Sequence, residues 1–150
     1  DSTSANFNTS CTIYNTNKTL IDTNTQLIDK MLLNVIIAIL SGFGTISLVV
    51  ALAEHTYYLV AALIALLLFL HFLHPQSIFL YIFCGIGGAL TESAAIHFNA
   101  NTWYYVKPTK PFNFPIWLSF VWALAATLIV TLNELIGQFT ELNANKNKIE

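Results

Sequence analysis

Apolar residues fall along this chain in four long runs, 32–53, 57–73, 78–98 and 116–137, separated by short polar breaks and flanked by polar ends. Each run is near the ~20 residues that an α-helix needs to cross ~30 Å of hydrocarbon, so the pattern predicts an all-α integral membrane protein with four transmembrane helices. The breaks agree. Glu54, His55 and Thr56 divide the first two runs, His74, Pro75, Gln76 and Ser77 divide the next two, and Pro75 cannot continue a helix. Pro115 suits the first turn of the last run. Ahead of the first run the apolar pairs Leu20/Ile21, Leu27/Ile28 and Met31/Leu32 recur at helical spacing, with Asp22, Thr25, Gln26 and Asp29 off the stripe. Residues 20–31 are therefore expected to form a short amphipathic helix at the membrane interface. Residues 1–19, crowded with Ser, Thr and Asn, read as a flexible polar head, and 138–150 as a polar tail. The longest connection, 99–114, carries Trp103, Tyr104 and Tyr105, an interfacial aromatic belt.

Composition narrows the class. Hydrophobic residues make up 55% of the 150 and charged ones 9%, with a mean hydropathy of +0.62. A chain of this kind is expected in a bilayer. Six lysines, eight acids and no arginine leave a net charge of -2 with no basic cluster, which excludes nucleic acid as a partner. Cys11 stands in the polar head and Cys84 in an apolar run, so neither a mutual disulfide nor a metal-ligand spacing is expected. Met31 is the only methionine, so the chain numbered from Asp1 is expected to be processed, trimmed or a fragment.

Four crossings return the chain, placing both termini on one side. That side holds Lys18, Lys30, Lys146 and Lys148 against Lys107 and Lys110 on the other, and positive-inside counting makes the termini cytoplasmic. The triplets Asn8-Thr9-Ser10 and Asn17-Lys18-Thr19 match glycosylation sequons and pull the other way, although such triplets arise by chance in a segment so rich in Asn and Thr.

One residue in the third run breaks its apolar character. Glu92 lies six residues before Phe98, ~9 Å along a helix from the end of the run, well inside the headgroups. A carboxylate there costs a few kcal/mol or more unless it faces the bundle or a wet cavity, so Glu92 is the leading candidate for a functional acid or proton relay. Positions three, four and seven away are Gly85, Gly88, Ala89, Ala95, Ile96 and Asn99, a nearly bare stripe around one carboxyl. Two readings compete: a pocket with a small-residue floor, or a close helix contact in which Glu92 bonds a hydroxyl such as Ser41, Thr45 or Thr127. The connectivity brings Glu54, His55, His97, Asn99, Asn101, Trp103, Tyr104, Tyr105 and Lys107 to the same side. His97 and His55 are candidate acid-base partners, and Glu54, Gly88, Asn99, Trp103 and Tyr105 candidate contacts for a ligand or lipid. Ordinary interface decoration is the competing account of these positions. Glu92 and His97 are five apart, about 140° around a helix, so they do not form a pair on one face.

On the opposite side His71 and His74 are three apart, with Asn133 and Glu134 arriving from the fourth run. A metal there would need Glu134 as third ligand, and helix-end histidines reaching for water are the simpler account, so no metal site is expected. Haem-ligand pairs at matching depth, multi-histidine iron clusters, a Gly-x-Ser-x-Gly elbow and a phosphate loop are all missing from the sequence, and no cofactor is expected.

The succession Glu92, Ile96, Trp103, Tyr105, Pro108, then Pro115-Ile116-Trp117-Leu118 and Trp122, resembles a pattern in small, largely uncharacterised multi-span membrane proteins. In them an acid inside a span precedes Trp-x-Tyr and a helix starting Pro-x-Trp-Leu. The likeness covers the last third of the chain. More distantly this stretch is similar to hydratase-type membrane proteins of carotenoid biosynthesis, with a shorter spacing to the aromatic and a glycine near the position of Asn99. The resemblance implies that Glu92, Trp103 and Tyr105 are positions of interest.

Two functions are compatible with these features. In the first the chain is a non-catalytic helical module or accessory subunit, packing with itself or with a larger membrane assembly and binding lipid near Glu92. Its association surfaces would be small-residue stripes, Ala38, Ser41, Gly42 and Thr45 on the first helix and Ala123, Ala126, Thr127 and Thr131 on the fourth. In the second, Glu92 is the acid or base of a membrane-embedded enzyme or proton relay acting on an isoprenoid or polyene.

Overall fold

The computed structural model describes residues 22–98, 105, 108 and 114–146. They are overwhelmingly helical, with four helices long and apolar enough to cross a membrane: α1 Asp22–Leu52, α2 Thr56–Leu73, α3 Ile78–Phe98 and α4 Leu118–Lys146. The breaks at 53–55 and 74–77 fall where the polar residues predict them. Two boundaries differ from the sequence reading. Residues 22–31 continue into the first span as one helix, because neither Gly nor Pro stands between them. At the other end α4 runs nine residues past Gly137, since a single glycine costs a helix only about 1 kcal/mol and does not stop it. The polar head, 1–19, the first two residues of the expected amphipathic helix, 20–21, and the end of the tail, 147–150, lie outside the described residues.

Packing divides the chain into two compact units, one of Ile36–Leu132 and one of Asp1–Val35 with Asn133–Glu150. Within the second of these, polar side chains join the two segments. Asn34, 3% exposed, donates from Nδ2 to Glu134 Oε2 at 3.2 Å and to Gln138 Oε1 at 3.3 Å, and Asn145 donates to Asn24 at 3.1 Å. Buried amides need such partners, and here they find them across the pair.

The unit of Ile36–Leu132 has an apolar core of Ile37, Leu59, Leu63, Leu70 and Leu124. On α2 the buried leucines repeat at four and seven residues, which is one helical stripe. The other faces stay apolar but outward: Phe72 and Phe79 are each 83% exposed and Val50 77%. Helices that are apolar all round and expose aromatic rings are compatible with a multi-pass membrane protein and unsuited to water. Within α1, Leu40–Gly44 forms a π-helical turn with Ser41 buried.

Candidate functional site

The site begins with the face that α3 turns to α4. Gly85, Gly88, Ala89 and Glu92 share that face by their spacing of three and four. A Cβ at Gly85 would stand 2.8 Å from the Ser119 carbonyl oxygen, and one at Gly88 would overlap the Trp122 indole. Both positions need glycine for the helices to lie this close. Ala89 is 1% exposed and packs with Phe114 and Leu118, with Tyr105, Trp117 and Trp122 around them.

The bare backbone at Gly88 is the shelf on which the Trp122 indole rests. From there Trp122 Nε1 donates to Glu92 Oε1 at 3.1 Å. The second donor is Tyr105, whose hydroxyl bonds Glu92 Oε2. Tyr105 is itself steadied by Trp117, the two rings meeting edge-on with centroids 6.2 Å apart. Each carboxylate oxygen therefore has a donor, and such charge-assisted bonds are worth about 1.5–3 kcal/mol each. Burial first, then the bond to Glu92 and its negative charge, push the Tyr105 hydroxyl well above the usual 10.0, so it stays a proton donor across the neutral range.

The aliphatic hydroxyls expected as partners of Glu92 are engaged elsewhere or not at all. Ser41 donates to the Ala38 carbonyl at 3.2 Å, Thr45 to the Ser41 carbonyl, and Thr127 bonds no described group. Of the other candidates, Glu54 is exposed in the turn after α1, His55 caps the start of α2 with its ring edge-on to Tyr58, and His97 is exposed with its ring against Phe98. Asn99 and Trp103 lie outside the described residues. Glu92, Gly88 and Tyr105 are the sequence candidates that converge. His71 and His74 turn to different neighbours, His71 to the Tyr81 ring and His74 Nδ1 to Gln76 Nε2 at 2.6 Å.

Trp122 is the site residue that the candidate set lacks. The available signal was an indole N–H inside an apolar run, away from the aromatic belt, where it needs an acceptor; Glu92 is the only acid of α3.

Beside this constellation α3 and α4 form an open groove of about 330 Å³ with Gly87, Gly88, Ala125 and Ala126 among its small residues and Phe83, Trp122 and Ile129 among its large ones. The Thr91 hydroxyl at its edge is bonded to the Gly88 carbonyl at 2.7 Å, which leaves the groove apolar. A Cβ added at Gly87 would meet nothing within 4 Å.

The described residues are thus helical, with four helices of membrane-crossing length and a carboxylate held by two aromatic donors. In comparison with known proteins the chain matches no family model, no curated protein and no solved structure.

Proposed function

We propose that the protein is a non-catalytic, multi-pass membrane module that holds the hydrocarbon chain of a lipid in the α3–α4 groove, with Glu92 as the latch that fixes the groove's aromatic wall. The supporting observation is the saturation of Glu92 by Tyr105 and Trp122. A carboxylate with a donor on each oxygen ties two separate segments to α3 and has no oxygen left unpaired. The groove is lined in part by the same indole, and is apolar and of a volume at the lower end of the ~300–1,000 Å³ typical of ligand pockets. Association through small-residue stripes is less well supported, because Ser41, Thr45, Ala123, Ala126, Thr127 and Thr131 are all buried within the chain. In this reading four crossings put both termini on one side, the cytoplasmic one. Other transmembrane helices would then meet the large apolar side chains instead of the stripes.

A phospholipid carrying a diazirine midway along its acyl chain tests the groove in reconstituted membranes. Adducts should concentrate at Phe83, Trp122 and Ile129, and Gly87→Phe, which fills open space, should lower them several-fold with the melting temperature unchanged. Adducts spread evenly over Phe72, Phe79 and Phe83 and indifferent to Gly87→Phe would overturn the proposal.

One observation favours a second reading. The phenol of Tyr105 bonded to a carboxylate is a pair through which a proton can pass, as an acid-base site or relay acting on an isoprenoid or polyene requires. Glu92→Gln separates the two: the latch keeps lipid labelling, whereas the relay folds and loses turnover.

A further inference from the structure

Four buried polar atoms have no hydrogen-bond partner among the described residues: His71 Nδ1, the Tyr81 hydroxyl, and the hydroxyls of Thr127 and Thr131. They come from α2, α3 and α4, yet they form one neighbourhood. The His71 and Tyr81 rings meet edge-on with centroids 5.7 Å apart. The Tyr81 hydroxyl stands near both the Thr127 hydroxyl and the Gln76 backbone, with neither in hydrogen-bond geometry. Thr131 follows Thr127 by one turn on the same face of α4, and both threonines are 0% exposed.

Threonine inside a helix ordinarily satisfies itself by bonding a carbonyl three or four residues back. Thr45, Thr91 and Thr140 do so here. Thr127 and Thr131 do not. Each unsatisfied hydroxyl in an apolar setting costs about 1–3 kcal/mol, and two adjacent ones turned away from their own backbone point to a partner that both can reach. No charged side chain belongs to the group, so a bare ion would be left uncompensated. A neutral molecule that both donates and accepts, and is small enough to lie among these side chains, is water.

We infer that Tyr81, Thr127 and Thr131, with His71 at the rim, form an internal water site that bridges α3 and α4. Water reaches it from the 74–77 connection: His71 stands in the last turn of α2 and Tyr81 in the first turn of α3. Internal waters typically make about three hydrogen bonds, a number that the three hydroxyls supply.

Hydroxyl-radical labelling read by mass spectrometry, on the full chain in lipid nanodiscs, tests this. Radicals form from water, so Tyr81 should label several-fold faster than Phe79 and Phe83, which stand on the same helix and are exposed where lipid surrounds it. Joint replacement Thr127→Val and Thr131→Val should bring Tyr81 down to the level of the two phenylalanines. Labelling of Tyr81 no faster than Phe79 would show a dry site and overturn the inference. Fast labelling that survives the double replacement would overturn the role of the threonines. If the double variant does not fold, the wild-type comparison of Tyr81 with Phe79 still decides whether water is there.

Discussion

Glu92 and Tyr81 stand on the same helix, and the polar end of each is turned to a polar side chain of α4, Glu92 to Trp122 and Tyr81 to Thr127. At Glu92 both oxygens are taken by protein donors; at Tyr81 the hydroxyl has Thr127 and the Gln76 backbone beside it but neither in hydrogen-bond geometry. The difference follows the cost of failure. An unpaired carboxylate in apolar surroundings costs several kcal/mol, an unpaired hydroxyl about 1–3. Charge therefore has to be saturated by fixed groups held in place by glycine-permitted packing, whereas neutral hydroxyls can be left to a small exchangeable partner.

The sharpest way to break the contrast is Gly88→Leu. The new side chain would occupy the place of the indole and unseat the donor to Glu92, so a loss of about 3 kcal/mol or more is expected in detergent melting, at the upper end of overpacking costs. Leu67→Ala, in the partly buried rim of the apolar core, should cost less. Equal tolerance of both would remove the shelf from the account.

Next in size is Trp122→Phe, which keeps the ring and removes the N–H. One oxygen of Glu92 would then lack its donor, for an expected cost of about 1–3 kcal/mol. Glu92→Gln should be milder, under about 1 kcal/mol, because the amide oxygen still accepts one bond at similar volume. A melting curve for Glu92→Gln as poor as that for Glu92→Leu would mean that the charge itself, and not hydrogen bonding, holds the latch.

Alkaline pH probes the same bond. The Tyr105 hydroxyl titrates above 10.0 in the folded chain, so its contribution is fully present below that value and is lost as pH rises through the higher folded value. Wild type should lose melting temperature above pH 10 faster than Tyr105→Phe. Parallel curves would place the Tyr105 proton outside the stability of the fold. The smallest effect is expected from Thr127→Val, under about 1 kcal/mol in either direction, since losing a bond to water and losing an unsatisfied hydroxyl nearly offset.

The four helices were legible because runs of apolar residues near membrane length leave few alternatives, and their breaks carry Pro75 and the charged or polar residues around it. The ends at residues 31 and 137 were not, because the polar residues that mark the water boundary do not themselves stop a helix. Glu92 and Tyr105 stood out by chemistry, the first as an acid in an apolar run and the second within a Trp-x-Tyr segment. Trp122 entered only as the last member of the resemblance pattern, because the acceptor that its N–H requires stands on another helix, thirty residues away. Thr127 and Thr131 were hidden differently: at their spacing with Ala123 they read as part of a smooth packing stripe, and only the rotation of their hydroxyls away from the backbone distinguishes them.

The π-helical turn at Leu40–Gly44 bears on which genetic changes α1 tolerates. Losing one codon elsewhere in a helix rotates everything beyond the lesion by about 100° and turns buried positions outward. A π turn already holds one residue more than an α turn would, so a single-codon deletion within 40–44 should restore ordinary winding and leave Thr45–Leu52 facing as before. Among in-frame deletions scanned through α1, those five positions are expected to form the permissive window.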